Sequence, residues 1–177
     1  MCARPVSEKL NPKRYEPDED GYVREIVGPW VNDKHARLEK YVDISRGARA
    51  RWLGPGKAGA TFIDLYSGPG RIKIRDTTTA GDGSPLVAWR KSVEAGTPFT
   101  GVHIADLNAE IGAACEHRLK GASAPAILET GLALETVDRV IGRLNPRGLH
   151  LALLDPFSLG ALPFEIIRKL AALKHMD

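Results

Sequence analysis

Four acidic residues, Asp64, Asp106, Glu129 and Asp155, stand within, at or just past the ends of four short apolar runs at 61–66, 100–105, 126–129 and 150–154. A carboxylate placed there can accept hydrogen bonds from hydroxyls or amines, or meet a cation. The first run opens into Tyr66-Ser67-Gly68-Pro69-Gly70. Without Cβ atoms, Gly68 and Gly70 let a ligand approach the backbone closely. An apolar strand that delivers an acid and a glycine loop to the edge of a parallel sheet is a way of holding a nucleotide-like ligand. Position 73 is Lys, so the third glycine of the dinucleotide fingerprint is missing, which disfavours a nicotinamide-dependent enzyme. No Gly-Lys-Ser/Thr follows, so the loop is not a phosphate-binding P-loop.

In such a sheet the ligand lies outside the carboxyl ends of the strands. Asp64 is then placed to meet the cationic amino-acid end of a ligand, directly or through water. Asp106 is placed to accept two ribose hydroxyls, and Glu129 to reach an adenine edge. Asp155, with Pro156 and Phe157, would face the reacting group. Phe157 offers a ring for stacking on a planar substrate. Each acid has a second reading as a helix cap, favoured for Glu129 and evenly balanced for Asp155. Lys34 and His35 form another pair with two readings. Lys34 binds a phosphate or carboxylate and His35 moves a proton, or both are ordinary surface and half-buried side chains. Trp30 has two readings, a ring that stacks on a flat ligand and an anchor of its helix to the core, and the anchor is favoured.

The elements that must position these residues alternate. Helical patterns at 85–95, 108–120, 133–144 and 163–173 separate the four strands, which implies βαβ units and a parallel sheet of about four strands. Ser84 and Pro85 suit a helix start, as cap and first-turn proline. A leading helix is expected over about 31–52, capped by Asn32 or Asp33 and stopped by Gly54-Pro55-Gly56. Residues 1–22 carry three prolines and the run Asp18-Glu19-Asp20, and read as an extended or disordered lead-in. Residues 23–177 then form a single α/β domain. The last helix is followed by only a few residues, so the fourth strand is expected to keep an open edge. The domain reads as C-terminally truncated, or as completed by a partner.

At 177 residues the chain can bury one core. No apolar run is long enough for a membrane span, and the charged, proline-bearing start is unlike a secretory signal. Cys2 and Cys115 give no disulfide framework and no metal-ligand spacing, so a cytoplasmic protein without a metal is expected. Between positions 34 and 57 there are seven Lys or Arg against two acids. That stretch reads as a solvated helix face, with a nudge towards nucleic acid.

Four blocks taken together resemble one family. These are Gly28-Pro29-Trp30 with Lys34, His35, Leu38 and Tyr41; then 62–70; then Gly83-Ser84-Pro85-Leu86; then Leu154-Asp155-Pro156-Phe157. In order and spacing they resemble the three-Cys-motif partner (TcmP) family over about residues 28–177. The resemblance implies a Rossmann-like, S-adenosylmethionine-dependent methyltransferase fold in a bacterial or phage setting. It also implies a protein partner, the neighbouring three-Cys-motif protein, itself resembling radical S-adenosylmethionine or phage-related proteins. The implied site uses Asp64, Tyr66, Ser67, Gly68, Gly70, Asp106 and Glu129 for S-adenosylmethionine, and Asp155, Phe157, Lys34 and His35 at the reacting end. Two departures stand out. The family's Gly-Asp after the third strand is Gly131-Leu132 here, and its Asp-Pro-Phe-Gly is Asp155-Pro156-Phe157-Ser158. These departures, with the open edge, support an alternative in which the chain is a non-catalytic scaffold or regulatory partner.

Overall fold

Period-two burial organises the centre of the molecule. The computed structural model describes residues 10–177. In strand β3 (Ala60–Asp64), Phe62 points to one side of the sheet and Ile63 to the other, and both are fully buried. Its neighbours are β6 (Gly101–Asp106) and β8 (Leu149–Leu153), with β7 (Ala126–Thr130) beyond β6. Every pairing is parallel, and the order is β7-β6-β3-β8. The chain steps outwards from β3 to β6 to β7, then returns to the far side of β3 as β8. The order therefore reverses between β3 and β8, which is where an open sheet leaves a crevice.

Among the described residues five α-helices cover this sheet. Helices α1 (Val31–Ile44), α3 (Ser84–Glu94) and α4 (Ala109–Gly121) pack on the Phe62 face, through Leu38, Val42, Leu86, Trp89, Cys115 and Leu119. Helices α5 (Ala133–Arg143) and α6 (Phe164–Ala171) cover the Ile63 face through Val137, Val140, Ile166 and Leu170. Each such large apolar side chain contributes about 1.5–3 kcal/mol of burial. The two-faced core explains why the strands are nearly continuous apolar runs.

The leading helix is shorter than its sequence pattern suggests. It ends at Ile44, and a separate turn of helix, α2, runs Arg46–Ala50. The break falls at Ser45, whose hydroxyl donates to the Tyr41 and Val42 carbonyls at 2.9 and 3.2 Å and so competes with the helical ladder. Neither Asn32 nor Asp33 caps α1; the N-cap position is Trp30, with no side-chain cap. Trp30 is also no core anchor, being 58% exposed. At α3 the cap position is Gly83, which puts Ser84 and Pro85 one residue further into the first turn. The basic stretch is not a purely solvated face either. Arg49 is buried and donates to the Val42 and Thr97 carbonyls and to the Ser45 and Thr97 hydroxyls.

The larger correction concerns the lead-in. Residues 1–9 of that segment lie outside the described residues, but Tyr15–Pro17 form a strand, β1. It pairs antiparallel with β2 (Val23–Val27), which pairs parallel with β4 (Arg71–Ile74), which pairs antiparallel with β5 (Ala80–Asp82). This second sheet has the order β1-β2-β4-β5. The acidic run sits in its first turn, where Asp18 is buried. The outer edge of β8 is also partly met. His150 N–H donates to the His175 carbonyl at 2.8 Å and Asp177 N–H to the His150 carbonyl at 2.9 Å, so Met176 bridges His150 in parallel. Among the described residues no helix is long and apolar enough to cross a membrane.

Candidate functional site

The carboxyl ends of β3, β6 and β8 and the second sheet enclose a cleft of about 1000 Å³. Its floor is the glycine loop. Gly68 and Gly70 have φ of 58° and 78°, a left-handed conformation that glycine adopts without Cβ strain. A Cβ on Gly70 would stand 2.9 Å from Leu86 Cδ1 and 3.1 Å from both Cys115 Cα and Sγ. The loop is thus pressed onto α3 and α4, and Gly83 N–H donates to the Gly70 carbonyl at 2.8 Å. Gly70→Ala should accordingly cost about 2–4 kcal/mol through overpacking and backbone strain, read by urea denaturation. A stability within 0.5 kcal/mol (roughly) of the parent would show that the loop is not locked in this way.

Asp106 stands beside the loop, at the end of the neighbouring strand. Its Oδ1 accepts the Asn108 N–H at 2.9 Å, and its carboxylate also takes the Gly68 N–H. Asn108, not Asp106, caps α4, accepting the Glu110 and Ile111 amides. Burial raises the pKa of Asp106; the Asn108 and Gly68 N–H groups and Arg14 act in the opposite direction. The side chain remains partly open to the cleft.

Asp64 occupies a different position from the one its sequence context suggests. It is 1% exposed and lies beneath the cleft rather than on its wall. Its Oδ1 accepts the Tyr66 N–H at 2.9 Å, so it shapes the turn into the glycine loop. Burial pushes its pKa up to about 7, against the lowering effects of that N–H and of Lys34. Tyr66 and Ser67 follow on the cleft wall. The Tyr66 hydroxyl donates to the Ala161 carbonyl at 2.7 Å and ties the loop after β8 to the end of β3.

At the other end of the cleft, Lys34 and Asp155, separated by 121 residues in the chain, form an ion pair of 2.7 Å. Asp155 therefore caps no helix; α6 begins only at Phe164. His35 sits next to this pair with its Nε2 buried and without a hydrogen-bond partner. Burial and the Lys34 charge push its pKa down to about 4, with Asp155 and Asp82 opposing, so at neutral pH it is an uncharged imidazole. Phe157 is 78% exposed at the mouth, with the Arg14 guanidinium 5.9 Å from its ring centroid. Lys34 lies 5.5 Å from the Trp30 ring centroid.

Glu129 does not join this constellation. Its Oε2 accepts Arg139 Nε at 2.8 Å, and Arg143 approaches Oε1 at 2.9 Å without hydrogen-bond geometry. Both arginines belong to α5, and Glu129 does not line the cleft. Leu132, at the departure noted in the sequence, does line it and is 54% exposed.

One wall comes from residues that the sequence reading missed. Arg14, Tyr15 and Glu25 reach the cleft from the second sheet. Glu25 pairs with Arg14 at 2.8 Å, and its carboxylate would lie 3.3 Å from a Cβ on Gly68. Behind this wall Arg118 holds the parts together. All five of its N–H donors are used, on Asp20 (twice), Asp18, the Val23 carbonyl and the Pro69 carbonyl. The acidic run of the lead-in is thus the counter-charge of an α4 arginine that also grips the glycine loop. The alternation in Arg71-Ile72-Lys73-Ile74 is the one local signal that points to this second sheet.

No protein-family model, curated protein or solved structure matches the chain. The geometry of the cleft alone therefore bears on its chemistry.

Proposed function

We propose that the chain is a Rossmann-like, S-adenosylmethionine-binding domain of the methyltransferase kind, as its resemblance to the TcmP family implies. The observation that carries this reading is the meeting of the left-handed Gly68–Gly70 loop and the Asp106 carboxylate in one cleft, beside the point where strand order reverses. Bare backbone suits the close approach of an amino-acid chain and sulfonium. Asp106, at the end of the adjacent strand, suits the two ribose hydroxyls. Asp64 is assigned a positioning role under the loop, and Glu129 no contact.

When bound, the sulfonium supplies an already activated methyl group. The contribution of the protein is then to bind, orient and exclude water. The Lys34–Asp155 pair and Phe157 line the open end, where an acceptor would enter. His35, an uncharged imidazole with its Nε2 buried, is assigned a positioning role beside Lys34 rather than proton transfer.

Titration calorimetry with S-adenosylmethionine and S-adenosylhomocysteine tests the reading. Both should bind to the parent chain, and Asp106→Ala should weaken each roughly 10- to 100-fold, as expected for lost hydrogen bonds to a charged group. Absence of binding to a folded parent chain would remove the proposal.

A second reading has its own observation. Phe157, Leu159 and Phe164 are 78%, 88% and 75% exposed. Three large apolar side chains so close in sequence suit a protein-docking face. On that reading the chain is a non-catalytic scaffold for a three-Cys-motif protein, and the calorimetry above separates the two.

A further inference from the structure

The cleft does not end at the second sheet. A shallower groove of about 620 Å³ continues from it, and Lys13, Ile26 and Arg75 line both. The groove is basic and rich in hydroxyls: it adds Lys73, Thr77 and Thr78, with Asp76 as its one acid. Lys73 is committed to Glu16 at 3.1 Å. The Lys13 and Arg75 side chains, by contrast, take part in no ion pair among the described residues, and both are exposed. Most other cations near the cleft have a partner: Arg14 has Glu25, and Lys34 has Asp155. Two cations with no ion-pair partner among the described residues therefore stand where cleft and groove meet. The mouth of the cleft also presents two exposed flat rings, Trp30 and Phe157.

Free cations along a polar track, leading into a cleft edged by aromatic faces, match the chemistry of a single nucleic-acid strand. The cations take successive phosphates, and the rings take an unstacked base. We infer that the acceptor is a base in single-stranded nucleic acid, with its backbone running over Lys13 and Arg75 towards Thr77 and Thr78. This deepens, and rests on, the proposal that the cleft binds S-adenosylmethionine. An unpaired base fits better than a duplex, because a base still stacked in a helix presents no free face to Trp30 or Phe157.

The test is fluorescence anisotropy of the full chain with labelled 12-nucleotide single-stranded RNA and DNA and a DNA duplex of the same sequence, from 50 to 200 mM KCl. Single strands should bind more tightly than the duplex. The double variant Lys13→Glu/Arg75→Glu should weaken strand binding roughly 10-fold or more, and flatten the log–log salt slope by about 1.4. The control Arg37→Glu/Lys40→Glu, on the exposed face of α1, should change binding far less. Absence of strand binding, equal binding of duplex, an equal loss in the control, or equal competition by poly-glutamate would each overturn the inference. Calorimetry with S-adenosylmethionine on the same proteins keeps the two claims apart. Donor binding without strand binding defeats only this inference. Strand binding without donor binding defeats the methyltransferase reading, and with it the acceptor role.

Discussion

Replacing Arg118 with methionine should lower the free energy of unfolding by about 3–5 kcal/mol. The arginine side chain is 4% exposed and that of Asp18 fully buried. Removing the cation leaves Asp18 and Asp20 short of their main counter-charge, and leaves the Val23 and Pro69 carbonyls without donors. Arg24 at 3.3 Å and Arg71 at 3.2 Å still face Asp18, so the loss should fall towards the lower end of that range. Urea denaturation followed by circular dichroism reads it directly. Removing the acids together with the arginine, as Asp18→Asn/Asp20→Asn/Arg118→Met, should recover part of the loss, because the fully buried Asp18 charge is then gone; Arg24 keeps Glu16, and only the more exposed Arg71 gives up its acid. Arg118→Lys keeps the charge but not the five-donor fork. If that variant stays folded, it should still weaken the proposed binding of S-adenosylmethionine, since the Pro69 carbonyl loses its clamp. A loss under about 1 kcal/mol for Arg118→Met would show that the network is no more than surface-like pairing.

Asp64 should dominate the pH dependence of stability near neutrality. The folded carboxyl keeps its proton to about pH 7, whereas the ordinary value is 3.8. Between those values the folded state binds more protons than the unfolded chain, so this group makes stability fall as pH rises. Its cost is absent below pH 3.8 and complete above pH 7, and amounts to roughly 4 kcal/mol. Half-buried His35 and buried His103 and His150, whose pKa values are lowered, act with the opposite sign below their ordinary value of 6.5. The quantity to measure is therefore the difference between the parent and Asp64→Asn across pH 5–8. The parent should lose stability relative to the variant as pH rises, and a flat difference would refute the buried, protonated carboxyl. A cation docked above the glycine loop would favour ionised Asp64. Binding of the sulfonium donor should then release a proton, detectable by calorimetry in buffers of different ionisation enthalpy.

The parallel sheet and its helices are legible in the sequence because both faces of the sheet are buried. Runs such as Phe62–Leu65 and Val102–Ala105 carry their signal within a few residues. Asp64 and Asp106, the last residues of β3 and β6, fall at the sheet edge for the same local reason. What is not legible is non-local. The strand Val23–Val27 pairs with Arg71–Ile74 only after β3 and α1 have intervened. Its partner Tyr15–Pro17 is too short to show any period. The acidic run looks like a solvated tail until Arg118, about a hundred residues on, is seen to neutralise it. Likewise, nothing near Glu129 announces that Arg139 and Arg143 will claim it, since an i+10 or i+14 relation crosses a loop into a helix.

The β2–β4 pairing also governs how the molecule can be dissected. A trimmed version beginning at Gly28 would keep the whole parallel layer and its covering helices. It would strip the hydrogen-bonding edge from β4, leave the Arg118 guanidinium with the Pro69 carbonyl but neither of its acids, and open one side of the cleft to bulk water. Such a fragment would look right by helix content and yet lack one wall of the cleft, so a version meant to test the proposed ligand binding has to retain residues 14–27.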